Sequence, residues 1–179
     1  TICGLGHYEL TVNGQRIGKS EFDPLWSDYE KTVYYSAYSL LGALQKGDNV
    51  VGVCLGNGFY NMVGNRYNKL WVSFGPPTLH FRLVLEYADG TEETVVSDGS
   101  WKFHPGPITY NNLYGGEDYD ARLVLSGWDT PGYDAEGWKP VVLQEAPAGT
   151  LRPQTADPVR TIKTYGVKSH QKLAEGVQV

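Results

Sequence analysis

The strongest constraint on the fold is an apolar–polar alternation that stops at turn-forming dipeptides. Residues 8–12 (YELTV) alternate in this way, Asn13-Gly14 follows, and residues 16–18 (RIG) lead back. Successive side chains of a strand point to opposite faces, and Asn-Gly favours the type I′ turn that joins antiparallel strands. The sequence therefore predicts a β-hairpin over residues 8–18.

A longer alternating stretch lies in the middle of the chain and ends at Asp89-Gly90, after which residues 94–96 (TVV) lead back. Every second residue of this stretch is apolar and is predicted to face inward: Leu79, Phe81, Leu83, Leu85 and Tyr87. This pattern predicts a second hairpin.

The remaining segments predict more short strands. Residues 32–35 and 101–103 are short apolar stretches, and residues 50–55 (VVGVCL) are apolar throughout, as in a strand that is covered on both faces. Residues 38–44 have room for one helical turn. With 22 glycines and 13 tyrosines in 179 residues, the composition favours one domain of short strands joined by many turns.

We therefore predict an all-β fold, an antiparallel β-sandwich with jelly-roll topology, in residues 1–142. The predicted core comprises Leu10, Val12, Val51, Val53, Phe81, Leu83 and Leu85. After residue 142 the alternation fades and prolines punctuate the chain, so residues 143–179 are predicted to be a linker and the start of a further domain.

Charge and composition argue against several classes of protein. The net charge is −5 and no run of Lys or Arg occurs, so we expect no nucleic-acid partner. The apolar runs are far shorter than the roughly 18 residues of a membrane helix, so we expect no membrane partner. Cys3 and Cys54 are predicted to be buried free thiols rather than a disulfide.

Residues 56–75 have the composition of a long loop, and a loop of this length is usually functional or disordered. Aromatic rings stack on the C–H faces of sugars, and amides supply the directional hydrogen bonds that hydroxyl groups require. We therefore select Asn57, Tyr60, Asn61 and Trp71 as candidate carbohydrate-binding residues. In the alternative interpretation the aromatic residues close the end of the sandwich and the asparagines cap turns.

Residues 115–122 (GGEDYDAR) form a second candidate site. Catalysis by Glu117, Asp118 and Asp120 is disfavoured, because neighbouring carboxylates on one strand do not face each other across a glycosidic bond. Two interpretations stay open. Glu117 and Asp120 could hold Ca²⁺ with backbone carbonyls, or Arg122 could form a structural ion pair with one of them.

Six blocks in order carry a resemblance to a known family: GHYELTVNGQRIG, FDPLWSDYEKTVYY, LGNGFY, YADGTEETVVSDGSWK, GPITYNNLYGGEDYDAR and GWDTPGYDAEGW. Together they resemble the N-terminal β-sandwich domain of bacterial α-L-rhamnosidases of glycoside hydrolase family 78, over about residues 4–142. The family's GE-x-YDAR block falls on residues 116–122, and its LG-x-G-aromatic-Tyr block falls on residues 55–60.

The resemblance implies a galactose-binding-like sandwich that precedes a second β domain and a catalytic α/α barrel, whose acidic residues cleave terminal L-rhamnose. Related modules bind L-rhamnose, in some cases with Ca²⁺. The chain thus resembles a piece of a larger enzyme, and we expect no catalytic residue and no activity in it. A secreted or periplasmic location suits such a role.

We expect an accessory carbohydrate-binding and substrate-recognition domain that needs no cofactor, apart from the Ca²⁺ considered above. The expected partners are an L-rhamnose-containing glycoside or polysaccharide and the remaining domains of the enzyme. The expected ligand contacts are Asn57, Tyr60, Asn61, Trp71, Glu117, Asp120 and Arg122. The alternative is a structural spacer that docks on the catalytic barrel and binds no sugar.

Overall fold

The structure, a computed structural model, describes residues 1–64, 66, 70–169, 172–174 and 177–178. In these residues sixteen strands form: β1 Ile2–Leu5, β2 His7–Val12, β3 Gln15–Ile17, β4 Thr32–Tyr35, β5 Val51–Gly56, β6 Asn61–Met62, β7 Val72–Ser73, β8 Thr78–Glu86, β9 Glu92–Val96, β10 Lys102–Phe103, β11 Ile108–Asn112, β12 Gly116–Tyr119, β13 Lys139–Pro140, β14 Thr150–Pro153, β15 Lys172–Ala174 and β16 Val177–Gln178.

Helix is almost absent from the described residues, where one 3-10 turn, Ala121–Leu123, is the sole helical element. None of the described residues belongs to a helix long and apolar enough to cross a membrane. The helical turn predicted at residues 38–44 is a hydrogen-bonded turn, in which the amide groups of Ala43 and Leu44 both donate to the carbonyl of Leu40. The predicted all-β class is confirmed.

Two three-stranded antiparallel sheets form the sandwich. One has the strand order β1-β8-β9 and the other β3-β2-β5. Between them, Ile2 and Phe81 of the first sheet pack with Tyr8 and Leu10 of the second. Burial of these side chains against one another is the principal favourable contribution to folding, because apolar surface leaves water on both sheets at once.

Strand β1 is buried on both of its faces. Ile2 lies in the core between the two sheets, whereas Cys3 and Leu5 point the other way, into a second core with Tyr29 and Val33. All four residues of β1 are buried. This strand therefore contributes to both cores.

Both predicted hairpins are present. In the first, Leu10 lies opposite Ile17, and Asn13 and Gly14 adopt φ values of 51° and 79°, as a type I′ turn requires. In the second, Leu83 lies opposite Val95. These local patterns were sufficient to predict the pairing.

The predicted core residues all face inward, although to different depths. Buried members are Leu10, Val12 and Phe81, and the partly buried ones are Val51, Val53, Leu83 and Leu85.

Two expectations about side-chain direction were wrong. Tyr87 lies beyond the end of β8 and is half exposed, with its hydroxyl donating to Glu93. Cys54 is a free thiol as predicted, but it lies exposed on β5, whereas Cys3 is free and buried.

The outer face of β5 is only partly covered. Gly52 is buried there because the Trp128 ring and the Asp129 side chain lie directly over it. Trp128 in turn stacks on Trp138, with ring centroids 6.1 Å apart. The segment around residues 128–138 thus covers the middle of β5 and leaves Cys54 exposed.

The chain beyond residue 142 returns to the body of the fold. Strand β14 pairs in parallel with β4, placing Leu151 opposite Val33. The Gln154 side chain then donates to the buried Asp23 carboxylate at 2.9 Å and accepts from the Leu25 amide at 2.8 Å. The domain boundary at residue 142 stays a prediction.

We predict that Gly52→Ala destabilises the domain by about 1–3 kcal/mol, the usual cost of overpacking. A Cβ at this position would lie 2.9 Å from the Trp128 ring and 2.8 Å from the Asp129 Cβ. Chemical denaturation measures the loss. Gly99→Ala is the matched control, because a Cβ there meets no atom within 4 Å. Equal stability of the two variants would contradict this packing.

We predict a stability loss in mild acid that depends on His7. Burial lowers the pKa of His7, and its Nδ1 is buried with no partner among the described residues. The folded pKa of His7 lies below the unfolded value of about 6.5. The stability that comes from keeping His7 neutral is therefore fully present above pH ~6.5 and is lost as the pH falls through the folded pKa.

The unfolding free energy of the wild type, measured by denaturant titration between about pH 7.5 and pH 5, should therefore fall as the pH is lowered below ~6.5. His7→Gln should lack that part of the slope, since its side chain does not titrate. Parallel pH profiles for the two proteins would refute the assignment to His7.

Candidate carbohydrate-binding face

The loop after β5 starts with a fixed turn. Gly58 has φ of 50°, and a Cβ added there would lie 2.6 Å from the backbone of Gly6, in the turn between β1 and β2. Only glycine permits this close approach of the two backbones. Asn57 is therefore held against the end of the sandwich, and its carbonyl accepts from the Asn61 amide at 3.0 Å.

Four polar side chains then form what we call the amide network, made by Asn57, Asn61, Ser73 and Asn111. The Asn111 Oδ1 accepts from the Asn57 backbone amide at 2.8 Å, and the Asn57 Nδ2 donates to the Asn111 carbonyl at 3.0 Å. Asn61 Nδ2 donates to Asn57 Oδ1, and Ser73 donates to Asn61 Oδ1, both at 2.8 Å. The network joins the start of the loop and strands β6 and β7 to β11.

Glu117 lies beside this network. It is the direct cross-strand partner of Asn111 in the β11–β12 hairpin, so the two side chains share one face. Glu117 is exposed, and its carboxylate makes no hydrogen bond or ion pair within the described part of the chain.

Arg66 and Asp118 connect the far part of the loop to the same hairpin. Both oxygens of Asp118 accept from the Arg66 guanidinium, which also lies 4.2 Å from the centre of the Tyr110 ring. The hydrogen bond from Arg66 lowers the pKa of Asp118. Because both side chains are about half exposed, this ion pair orients the loop more than it stabilises the fold.

The candidate residues of the loop occupy three kinds of position. Asn57 and Asn61 belong to the amide network. Trp71 is 69% exposed and directly precedes β7. Tyr60 is only 6% exposed, because it packs in the second core against Tyr29, with ring centroids 5.0 Å apart.

Asp120 and Arg122 form a pair of their own. The Asp120 carboxylate accepts from the Arg122 backbone amide at 3.0 Å, from Nε at 2.8 Å and from the terminal nitrogen Nη2 at 2.6 Å. Asp120 thereby caps the 3-10 turn, and the pairing lowers its pKa. Of the two carboxylates that the sequence offered to Arg122, Asp120 is the partner, and within the described residues Glu117 has no bond to this pair.

The geometry of this pair bears on the expected Ca²⁺. Both Asp120 oxygens already accept from Arg122, so a cation there would have to replace the guanidinium. Among the described residues no three His, Cys, Asp or Glu side chains are grouped to hold a metal. The residues present do not favour the ion at Asp120, and Ca²⁺ binding stays a prediction.

Sequence reasoning missed Asn111 and Ser73. A signal for Asn111 was available, since Asn111-Asn112 stands within an otherwise strand-like segment, where asparagine is unfavourable unless its side chain has a specific role. Asn112 is buried and accepts from the amides of Tyr114 and Gly115, which shapes the hairpin turn. Ser73 had no comparable signal.

The comparisons with known proteins agree with this architecture. Residues 1–163 match the family described as the alpha-L-rhamnosidase N-terminal domain. An alpha-L-rhamnosidase of Formosa agariphila is 42% identical over 97% of this chain, which covers 18% of that protein. The chain therefore belongs to the α-L-rhamnosidase N-terminal domain family.

Solved structures show the same relationship. The alpha-L-rhamnosidase of Dictyoglumus thermophilum superposes with a TM-score of 0.86 at 39% identity, covering 99% of this chain and 19% of its own. The alpha-L-rhamnosidase of Streptomyces avermitilis, solved with L-rhamnose, superposes with a TM-score of 0.85 at 33% identity. The match covers 99% of this chain and 17% of that protein's chain. The chain thus spans less than a fifth of these relatives.

We predict that Asn111→Ala loosens the loop that follows β5. The change removes the acceptor of the Asn57 amide, and leaving such a group unsatisfied costs about 1–3 kcal/mol. Amide hydrogen exchange should therefore be faster at Asn57 and Asn61. Thr109→Ala, at an exposed position of the same strand, is the control and should leave exchange unchanged. Unaltered protection in Asn111→Ala would contradict the anchoring role.

Proposed function

We propose that this chain is the substrate-recognition domain of an α-L-rhamnosidase and binds an L-rhamnose-bearing glycoside through its amide-network face. The observation that carries the proposal is the exposed Glu117 carboxylate, which has no partner in the described residues and stands beside amides that are already fixed. A hydroxyl-rich ligand offers the donors that this carboxylate lacks.

Preorganisation supports this function. Asn57 and Asn61 are held by hydrogen bonds to each other and to their neighbours, so little side-chain entropy is left to lose when a ligand binds. A carboxylate that accepts from two neighbouring hydroxyls forms charge-assisted hydrogen bonds, which are stronger than neutral ones. In this proposal Glu117 is the principal contact, and the amide network positions it.

Trp71 supplies an apolar element for the same face. Ser73 lies opposite Asn61 in the β6–β7 pair and donates to it, and Trp71 precedes Ser73 by two positions. Extended backbone directs side chains two positions apart to the same side. The exposed indole is thus available to stack on the C–H face of a sugar ring, which is how aromatic rings contribute to sugar binding.

The hydrolytic step belongs, in this proposal, to other parts of the enzyme. The relatives are named α-L-rhamnosidases, and this chain spans less than a fifth of their length. We propose that the parent enzyme removes terminal L-rhamnose and that this domain keeps the glycoside close to it. The chain's own residues bind and orient, and they perform no bond cleavage.

A structural spacer is the second candidate, and packing in the loop favours it. The ring of Phe59 stacks on that of Trp26, with centroids 4.5 Å apart. Tyr60 and Phe74 pack against Tyr29. Most aromatic residues of the loop are thus used within the fold. The spacer function would leave Glu117 and Trp71 without a role.

Calorimetric titration with L-rhamnose, with and without added Ca²⁺, distinguishes the two candidates. We predict saturable binding by the wild type and about tenfold or greater weakening in Glu117→Gln, which keeps the shape but loses the charge. Glu136→Gln, at another exposed carboxylate, is the control and should bind as the wild type does. D-Glucose in place of L-rhamnose tests specificity.

Two outcomes would count against the proposal. If the folded wild type takes up no L-rhamnose in either buffer, the spacer is the better account. If it binds but Glu117→Gln and Trp71→Ala both bind unchanged, the ligand lies elsewhere on the domain. A Ca²⁺ requirement that Glu117→Gln abolishes would add the metal to this face.

A further inference from the structure

An open cavity of about 290 Å³ lies apart from the residues of the amide network. The segment after β13 forms one wall, and the beginning of the turn before β4 forms another. The residues that line it are Tyr29, Glu30, Tyr60, Phe74, Glu145, Ala146, Pro147 and Ala148. None of them is assigned a role by the proposed function.

Three aromatic rings line this cavity. The rings of Tyr29 and Tyr60 pack edge-on, with centroids 5.0 Å apart and an interplanar angle of 84°. The rings of Tyr29 and Phe74 pack similarly, with centroids 5.2 Å apart and an angle of 69°. Tyr29 and Tyr60 are more than nine-tenths buried, yet neither hydroxyl makes a hydrogen bond in the described part of the chain. Neither hydroxyl is a fully buried unpaired atom, so both keep some contact with solvent.

Two carboxylates complete the lining. Glu30 and Glu145 are both exposed, and neither side chain forms an ion pair within the described residues. Lys31, the basic residue next in sequence, is held by Asp28 at 2.7 Å. The pKa of Lys31 is raised by Asp28 and, to a smaller extent, by Glu30. The cavity therefore combines aromatic surface with two carboxylates that form no ion pair within the described residues.

The wall that carries Glu145 is fixed in place. The Gly149 amide donates to the Tyr29 carbonyl at 3.0 Å, and the Thr150 amide donates to the Lys31 carbonyl at 3.0 Å. A Cβ at Gly149 would lie 2.5 Å from that Tyr29 oxygen, so the close approach requires glycine. These backbone contacts fix the C-terminal end of the segment that carries Glu145.

From this combination we propose that the cavity binds an organic cation, an alkylammonium or guanidinium group. Phe74 is 47% exposed and offers aromatic surface to a cation, and the two carboxylates add a charge that a neutral sugar does not exploit. Burial raises the pKa of Tyr29 to about 12, so its phenol stays neutral, and its oxygen is an acceptor for an N–H group of the cation.

Such a cation could be a free amine or the side chain of an Arg or Lys in a polypeptide. Val142 and Leu143 are largely exposed and lead directly to the wall with Glu145. A polypeptide would cover them together with the cavity, whereas a small amine would leave them exposed. The two sources share one chemistry and differ in how much apolar surface they bury.

Two probes, titrated by calorimetry at low salt, test the proposal and its source. One is methylguanidinium, and the other is the capped peptide acetyl-Leu-Arg-Leu-amide. We expect saturable binding of the wild-type chain, weakened about tenfold in the double variant Glu30→Gln/Glu145→Gln and weakened by added salt. The control Glu92→Gln/Glu136→Gln removes two exposed carboxylates elsewhere and should bind like the wild type.

Each outcome is decisive. Tighter binding of the peptide supports a polypeptide source, and equal binding supports a small amine. If the folded wild type binds neither probe, or if Glu30→Gln/Glu145→Gln binds as tightly as the control, the proposal is overturned. Titration of the same variants with L-rhamnose keeps this result separate from the sugar-binding proposal, which depends on Glu117 instead.

Discussion

The double-sided burial of β1 is the constraint on which the rest of the structure depends. Ile2 enters the core between the two three-stranded sheets, and Cys3 and Leu5 enter the second core with Tyr29. A strand packed on both faces cannot shift its register by one residue, because every side chain would then change cores. The turn that follows β1 is fixed by the same burial.

The turn after β1 contacts the start of the long loop, and the loop leads to the candidate binding face. Gly6 follows β1. A Cβ at Gly6 would clash with the carbonyl groups of Gly56 and Asn57, and a Cβ at Gly58 would clash with the Gly6 backbone. The contact sets the start of the long loop, and the hydrogen bonds of Asn57 to Asn111 extend it to the β11–β12 hairpin. Packing in the core thus positions Glu117, whereas the exposed Arg66–Asp118 pair only orients the distal loop.

Local patterns were enough to predict part of this arrangement. The two hairpins and their inward-facing residues follow from period-two alternation and from turn chemistry, both of which act over a few residues. The loop composition indicated Asn57 and Asn61, which the structure brings together by a hydrogen bond, and sugar binding by them stays a prediction. The same composition also indicated Tyr60, which is buried in the second core. Irregular backbone has no periodicity that would tell a buried ring from an exposed one.

The remaining features depend on contacts between distant parts of the chain. Asn111 joins Asn57 across 54 positions, and Gln154 reaches Asp23 across 131. The parallel pairing of β14 with β4 also has no local signature, since parallel partners are always far apart in sequence. Only the arrangement of the whole chain shows that these groups meet.

The central claim is that sugar recognition belongs to the face built on the amide network. Two-dimensional ¹H–¹⁵N NMR of the labelled chain, titrated with L-rhamnose, tests it directly. The account predicts saturable shifts concentrated at the amides of Asn57, Asn61, Asn111 and Glu117 and at the indole N–H of Trp71. Shifts confined to other surfaces of the folded domain, or no shifts at all, would contradict it.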